Sequence, residues 1–318
     1  MEQFERSGED SAPEAVYTAF LTNKGKINFD GFIIPFSEDG KAPEEPDVLL
    51  DCHSAEKARI LKHIKMYKLR SKVDVTDVST SFEVWSVFHN DTAAASGDST
   101  HNASIDSSDV FANEDSVVHS MQDPRLDLLG HRVVVKAETA PNDSVQQVDA
   151  SSYSARRMSL GVAEGIELES RMPLECNLAA LDAVSFDKGC YVGQELVART
   201  HYKGKIRKRI MPFTVDGSDN QQSLAALAAV GEGVDELKFV SLHGSDDATS
   251  GRRGKPKAKL VAVDSGGRAG LAMVRLEALE NADDSDSLPL GITDKDDQNE
   301  VVPVAVRCPT WWPQEYRS

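Results

Sequence analysis

The residue types best able to do chemistry lie in one stretch, DKGCYVGQELVARTHYKGKIRKR, from Asp187 to Arg209. Gly189 and Gly193 flank Cys190-Tyr191-Val192, and a glycine on each side lets backbone amides approach a ligand that side chains would block. Cys190 brings a thiol. Most lone cysteines are small buried hydrophobes, but Lys188 is near in sequence and Arg199 follows. Positive neighbours draw a thiol towards the thiolate that binds metals. Gln194 and Glu195 set an amide that donates and accepts beside a carboxylate that accepts, a pairing suited to the edge of a heterocycle. Arg199, Lys203, Lys205, Arg207, Lys208 and Arg209 follow, with no acid between Glu195 and Asp216. Such a run suits an anionic tail or a carboxylate-rich partner; an interdomain salt-bridge seam is the plainer alternative.

The rest of the chain limits that chemistry. With 35 Lys+Arg against 52 Asp+Glu in 318 residues the formal charge is −17, and a phosphate backbone would repel most of such a surface. No nucleic-acid partner is expected. No run approaches the roughly 18 apolar residues of a spanning helix, so no membrane insertion is expected either. Cys52, Cys176, Cys190 and Cys308 lie far apart without a C-x-x-C pair or zinc spacing, which fits a reducing compartment better than a disulfide framework. There is no G-x-S-x-G, H-E-x-x-H or Walker loop. Enzymatic catalysis is therefore not required by the sequence.

The elements that must position the stretch read as follows. Residues 17–36 form two β-rich runs around Asn23-Lys24-Gly25-Lys26, a hairpin whose turn uses the positive φ open to Gly25. Val48-Leu49-Leu50 reads as a short buried strand, and Ser54 as the cap of a helix to about Arg70 with Ile60, Ile64 and Tyr67 on one face. Val73 and Val75, then Phe82 to Phe88, alternate as strands do. Residues 90–116, poor in apolar side chains, read as a disordered insertion, and 139–150 as a second polar one. Strands are expected at Val117–His119 and Arg132–Lys136, and a helix at Arg156–Ile166 ended by Gly165. Beyond Arg209, five β-rich runs separated by Gly, Ser and Asp clusters suggest a small antiparallel barrel, with 281–300 a long acidic loop and TWWP at 310–313 packing the tail. The expected domains are 14–208 and 209–318.

The segment MPLECNLAALDAVSFDKGCYVGQELVARTHYKGKIRKR, residues 172–209, closely resembles the signature of the YgfZ-type folate-binding family, whose K-G-C-Y-x-G-Q-E core stands here at 188–195. Weaker similarity extends to FLTNKGKINFDGFI, DPRLDLLGHR and the terminal WWP. The resemblance implies an α+β fold: an aminomethyltransferase-like folate-binding body and a C-terminal antiparallel β-barrel domain. Within the family the match is to eukaryotic mitochondrial iron-sulfur assembly factors, which implies a non-redox role in the matrix. Such a factor helps convert [2Fe-2S] units to [4Fe-4S] clusters with an A-type scaffold protein, for clients such as aconitase and lipoate synthase. A cluster needs about four ligands, mostly thiolates, and no second cysteine lies near Cys190. Cys190 is thus expected to complete a [2Fe-2S] site shared with a partner, with Lys188, Gly189 and Gly193 supporting its loop. Glu175, Gln194, Glu195 and Arg199 are the expected contacts for tetrahydrofolate, by their place in the matching segment.

Two competing functions stand beside this one. A folate-dependent one-carbon (aminomethyl) transferase would use Glu195 or Asp187 as acid or base, and a docking module would use the basic run alone. The family pattern also places a strand and a helix ahead of the hairpin, where this chain has only residues 1–16. A truncated gene model of a matrix protein is the corresponding expectation.

Overall fold

The computed structural model describes residues 15–36, 47–89, 106–215, 217–230, 237–240, 256–280, 287–294 and 301–316. The chain folds as two compact units whose segments alternate along the sequence. The first comprises Met1–Gln147, Glu164–Pro173 and Leu178–Ala198; the second comprises Val148–Ala163, Leu174–Asn177 and Arg199–Ser318.

The first unit holds two three-stranded antiparallel sheets. In one, β1 (Val16–Leu21), β2 (Ile27–Phe36) and β3 (Asp47–Asp51) lie in that order. The apolar residues of β2 bury Ile27, Phe29 and Ile34, and Phe20 stacks on Phe29 across the pair at 4.5 Å. Helix α1 (Lys57–Tyr67) buries Ile60 and sets His63 edge-on to Phe29 at 5.1 Å. The second sheet has the order β4 (Phe82–Val87), β6 (His131–Lys136), β5 (Val117–Gln122). Val133 and Val135 of β6 pack with Val110 and Phe111.

Those last two residues correct the sequence reading. Of the insertion expected at 90–116, residues 90–105 lie outside the described residues, but 106–116 are built: α2 (Ser107–Val110) is capped by Asp106, and Phe111 is fully buried. Two adjacent apolar side chains were enough to find a core that composition averaged away. The strand expected at Val73 and Val75 is absent, and Val73 is exposed. The helix expected at Arg156–Ile166 is α3 (Ala150–Ser159), capped by Asp149 and followed by Gly161 at φ 77°. His53, not Ser54, caps the turn leading into α1, accepting from the Ala55 amide.

The second unit is built on a six-stranded antiparallel sheet in the order β8 (Leu237–Val240), β11 (Ser287–Asp294), β12 (Val302–Arg307), β7 (Lys208–Thr214), β10 (Ala269–Arg275), β9 (Ala258–Val263). Its edge strands β8 and β9 lie against each other, so the sheet nearly closes into a barrel. Met211, Phe213, Leu260, Val274, Leu290, Ile292, Val304 and Val306 fill the interior. The sixth strand, β11, falls in the segment expected to be an acidic loop, whose flanks 281–286 and 295–300 lie outside the described residues. Leu288, Leu290 and Ile292 alternate inward there in spite of Pro289 and Gly291. A helix that the sequence reading did not anticipate, α5 (Ser218–Val230), joins this unit. Among the described residues no helix is long and apolar enough to cross a membrane.

Candidate functional site

The Asp187–Val192 segment is an irregular loop of the first unit, and it runs directly into helix α4 (Gln194–Lys203). Cys190 is exposed, and a Cβ built on Gly189 would meet nothing within 4 Å, so the loop stands open on that side. Lys188 is half-buried with its Nζ 4.8 Å from the centroid of the Tyr191 ring, a cation–π contact. Burial lowers the Lys188 pKa and raises that of Tyr191. The Tyr191 carbonyl accepts from the Gln194 amide at 3.2 Å, closing the turn that starts the helix.

Gly193 has a specific task. Its φ is 82°, and a Cβ there would lie 2.5 Å from the Thr22 carbonyl and 3.0 Å from the Gly25 Cα. The reciprocal holds at Gly25, φ 69°, whose Cβ would lie 2.8 Å from the Gly193 carbonyl and 2.7 Å from the Leu196 Cβ. The turn between β1 and β2 therefore rests on the start of α4, backbone against backbone, at two positions that only glycine fills without displacement.

The other expected residues fall into different settings. Gln194 and Glu195 open α4 in the first unit, partly exposed and exposed respectively, while Arg199 and Glu175 belong to the second unit. Glu175 pairs with Lys208 at 3.2 Å. The basic run divides as well. Lys203, Lys205 and Arg207 are exposed, but Arg209 is buried, donating to the Leu174 carbonyl at 2.9 Å and lying 3.3 Å over the Tyr316 ring. Arg209 thus holds the C-terminal segment in place, where Trp312 is buried and Trp311 Nε1 donates to the Leu160 carbonyl at 2.7 Å.

A second constellation in the first unit went unread in the sequence. Arg125 has no exposed side-chain surface: it grips Asp123 through two bonds of 2.9 and 2.7 Å, donates to Glu164 at 2.6 Å, and lies over the rings of Phe32 and Tyr17. Arg132 lies over the same Phe32 ring, at 3.9 Å, and donates to Asp51 at 2.6 Å. Asp30 completes the group, accepting from the Tyr17 hydroxyl at 2.7 Å and from the Gly165 amide at 2.9 Å. Burial, and then the Glu164 charge, outweigh those two donors and raise the Asp30 pKa to about 7. Gly165, expected as a helix terminator, instead sits at φ 61° against the His53 ring.

Asp30, Asp51, Cys52, His53, Arg132 and Glu164 border a cleft of about 50 Å³. That is room for a water or two; a pterin-sized ligand needs a pocket several times larger. Cys52 there faces Asp51 and Glu56, and burial first, then Asp51, push its pKa up to about 11. Cys176 is buried and Cys308 partly so, which leaves Cys190 as the exposed thiol. Among the described residues no group of three or more His, Cys, Asp and Glu side chains is arranged to hold a metal ion.

No protein-family profile matches the chain. Among curated proteins, the "Iron-sulfur cluster assembly factor IBA57 homolog, mitochondrial" of Mycosarcoma maydis is 31% identical over 333 residues, covering 95% of this chain and 75% of that protein. The chain belongs to the IBA57 family. The homologues of Aspergillus oryzae and Neosartorya fischeri, which carry the same name, are 33% and 35% identical over 279 and 283 residues. In each case 83% of this chain is covered, and the chain spans 61% of the relative's length. Among solved structures, the glycine cleavage system aminomethyltransferase T from Bartonella henselae superposes with a TM-score of 0.55 at 11% identity, over 96% of this chain and 77% of that one. An IBA57 homologue thus has the aminomethyltransferase-like fold expected from its K-G-C-Y-x-G-Q-E segment.

Proposed function

We propose that this protein is a mitochondrial iron-sulfur cluster assembly factor in which Cys190 gives one thiolate to a [2Fe-2S] unit held jointly with an A-type scaffold protein, a step towards [4Fe-4S] clients such as aconitase and lipoate synthase. The observation that carries the reading is the setting of Cys190: an exposed thiol on an open loop, beside a glycine with empty space around it, in a family whose members are named for cluster assembly. The cluster is cargo. Since the described residues assemble no metal-binding group of their own, the remaining thiolates of a four-ligand cluster must come from the partner. Anaerobic mixing of the protein with a [2Fe-2S]-loaded A-type scaffold should give a heterodimer with its own absorption and circular-dichroism spectrum. Cys190→Ser should abolish it, and an unchanged spectrum in that variant overturns the ligand role.

Tetrahydrofolate binding belongs to the same proposal at the level of residue chemistry. Gln194 and Glu195 on the first turn of α4 suit the donor and acceptor edge of a pterin, and Arg199, one turn along, suits the glutamate tail. Glu175, the fourth candidate contact, pairs with Lys208 at 3.2 Å. Calorimetric titration with tetrahydrofolate should release heat and raise the unfolding temperature; neither effect means no folate site.

A further inference from the structure

The β1–β2 turn carries no group that the proposed function uses, yet it is built with unusual constraint. Thr22 N donates to the Lys26 carbonyl at 2.8 Å, Gly25 N donates to the Thr22 carbonyl at 2.9 Å, and the Thr22 hydroxyl adds two bonds to Lys26 at 3.2 Å. The turn is therefore a closed unit before it touches anything else. Its one inward-facing residue, Gly25, is buried, while Asn23 and Lys24 at the tip are exposed. What Gly25 is buried against is the Gly193 carbonyl and Leu196, and the Gly193 side of the same contact is roofed by the Thr22 carbonyl.

We propose that the Thr22–Lys26 turn is the positioning element for Cys190: by clamping Gly193 it fixes the C-terminal anchor of the cysteine loop, three residues from the thiol. The proposal rests on the cluster-ligand reading for its function and on the glycine–glycine contact for its mechanism. Besides the clamp, that end of the loop carries a turn bond, Gln194 N to the Tyr191 carbonyl at 3.2 Å, and the Lys188–Tyr191 contact. Neither is strong enough to keep an exposed loop in one geometry. A thiolate that must meet a cluster already ligated on another protein gains from being held in place before the encounter, since the cost of ordering it is then met during folding.

The test compares Gly25→Ala with the intact protein and with Gly130→Ala. Gly130 is also at positive φ, 83°, with its Cβ position 2.2 Å from the Val87 carbonyl, so alanine strains the same unit at a turn that does not touch Gly193. Amide hydrogen exchange over residues 188–194, read in the absence of any cluster, should accelerate several-fold in Gly25→Ala and stay unchanged in Gly130→Ala. The yield of the cluster-bridged heterodimer with an A-type scaffold should fall in the same variant that loosens the loop. Thr22→Val, which removes the hydroxyl bonds but no backbone contact, gives a smaller shift in the same direction and serves if Gly25→Ala does not fold. Equal exchange in all variants overturns the clamp. Accelerated exchange with an undiminished heterodimer overturns its positioning role. If the intact protein forms no heterodimer, the cluster-ligand reading fails separately, while the exchange result still decides whether the clamp exists.

Discussion

The first unit holds two thiols in opposite settings. Cys52 lines a polar cleft beside Asp51, with Glu56 and Asp30 adding negative charge, and its pKa is pushed up to about 11. Cys190 sits on an open loop next to a lysine. Both are cysteines of one unit; burial and the surrounding carboxylates raise the Cys52 pKa, whereas the Cys190 side chain is exposed. A thiol that must give electrons to iron is suited by the second setting and disabled by the first. The same contrast extends to the charged groups. The Asp30 cluster is a closed ionic network whose guanidiniums are spent on carboxylates and aromatic rings, whereas the Cys190 loop exposes its reactive atom.

The sharpest way to break the comparison is selective labelling. At pH 8 a thiol that ionises near 11 is thiolate about one part in a thousand, so iodoacetamide should alkylate Cys190 many-fold faster than Cys52, as read by peptide mass. Equal rates would mean that the two environments do not differ as described. In a Cys52→Ser protein the cluster-bridged heterodimer should form normally, because that thiol is no donor.

The ionic cluster makes its own prediction through Asp30. An acid whose folded pKa lies near 7, above its unfolded value near 4, contributes stability that is fully present below about pH 4 and lost as pH rises through 7. The swing attributable to Asp30 is up to about 4 kcal/mol. Urea unfolding of the intact protein should therefore show lower stability at pH 8 than at pH 5 from this group. Asp30→Asn should flatten that slope, since the amide has no proton to lose: its Oδ1 can still accept from the Gly165 amide, while its Nδ2 would donate to the Tyr17 hydroxyl oxygen. Identical slopes in both proteins would place the Asp30 pKa close to that of an ordinary carboxyl.

How much of this was legible in the sequence follows the range of the interactions. The β1–β2 hairpin was readable because Gly25 and the flanking β-formers act within a few residues, and the Cys190 loop because its pattern is contiguous. Strand β11 was hidden by Pro289, Gly291 and the acids around it, since burial of Leu288, Leu290 and Ile292 depends on neighbours β8 and β12 that sequence windows do not see. The Asp30 cluster was invisible for the same reason: Tyr17, Asp30, Asp51, Arg125, Arg132 and Glu164 come from six separate places and become a site only through tertiary structure. In the sequence Gly25 reads as a turn former and Gly193 as a gap for a ligand. That they need glycine because of each other required the fold.

The smallest expected effect sharpens the role of the lysine in the loop. If Lys188 acts by lying on the Tyr191 ring, the contact is worth about 0.5–1 kcal/mol, and Lys188→Met, which keeps the stem and removes the charge, should weaken the cluster-bridged heterodimer about two- to fivefold while lowering the unfolding temperature by only about 1–4 °C. Lys188→Arg should restore most of the loss, because a guanidinium also stacks on an aromatic face. Should Lys188→Arg be as impaired as Lys188→Met, the ammonium acts as a specific donor to the partner or its cluster, and the ring contact is merely where it rests in the free protein.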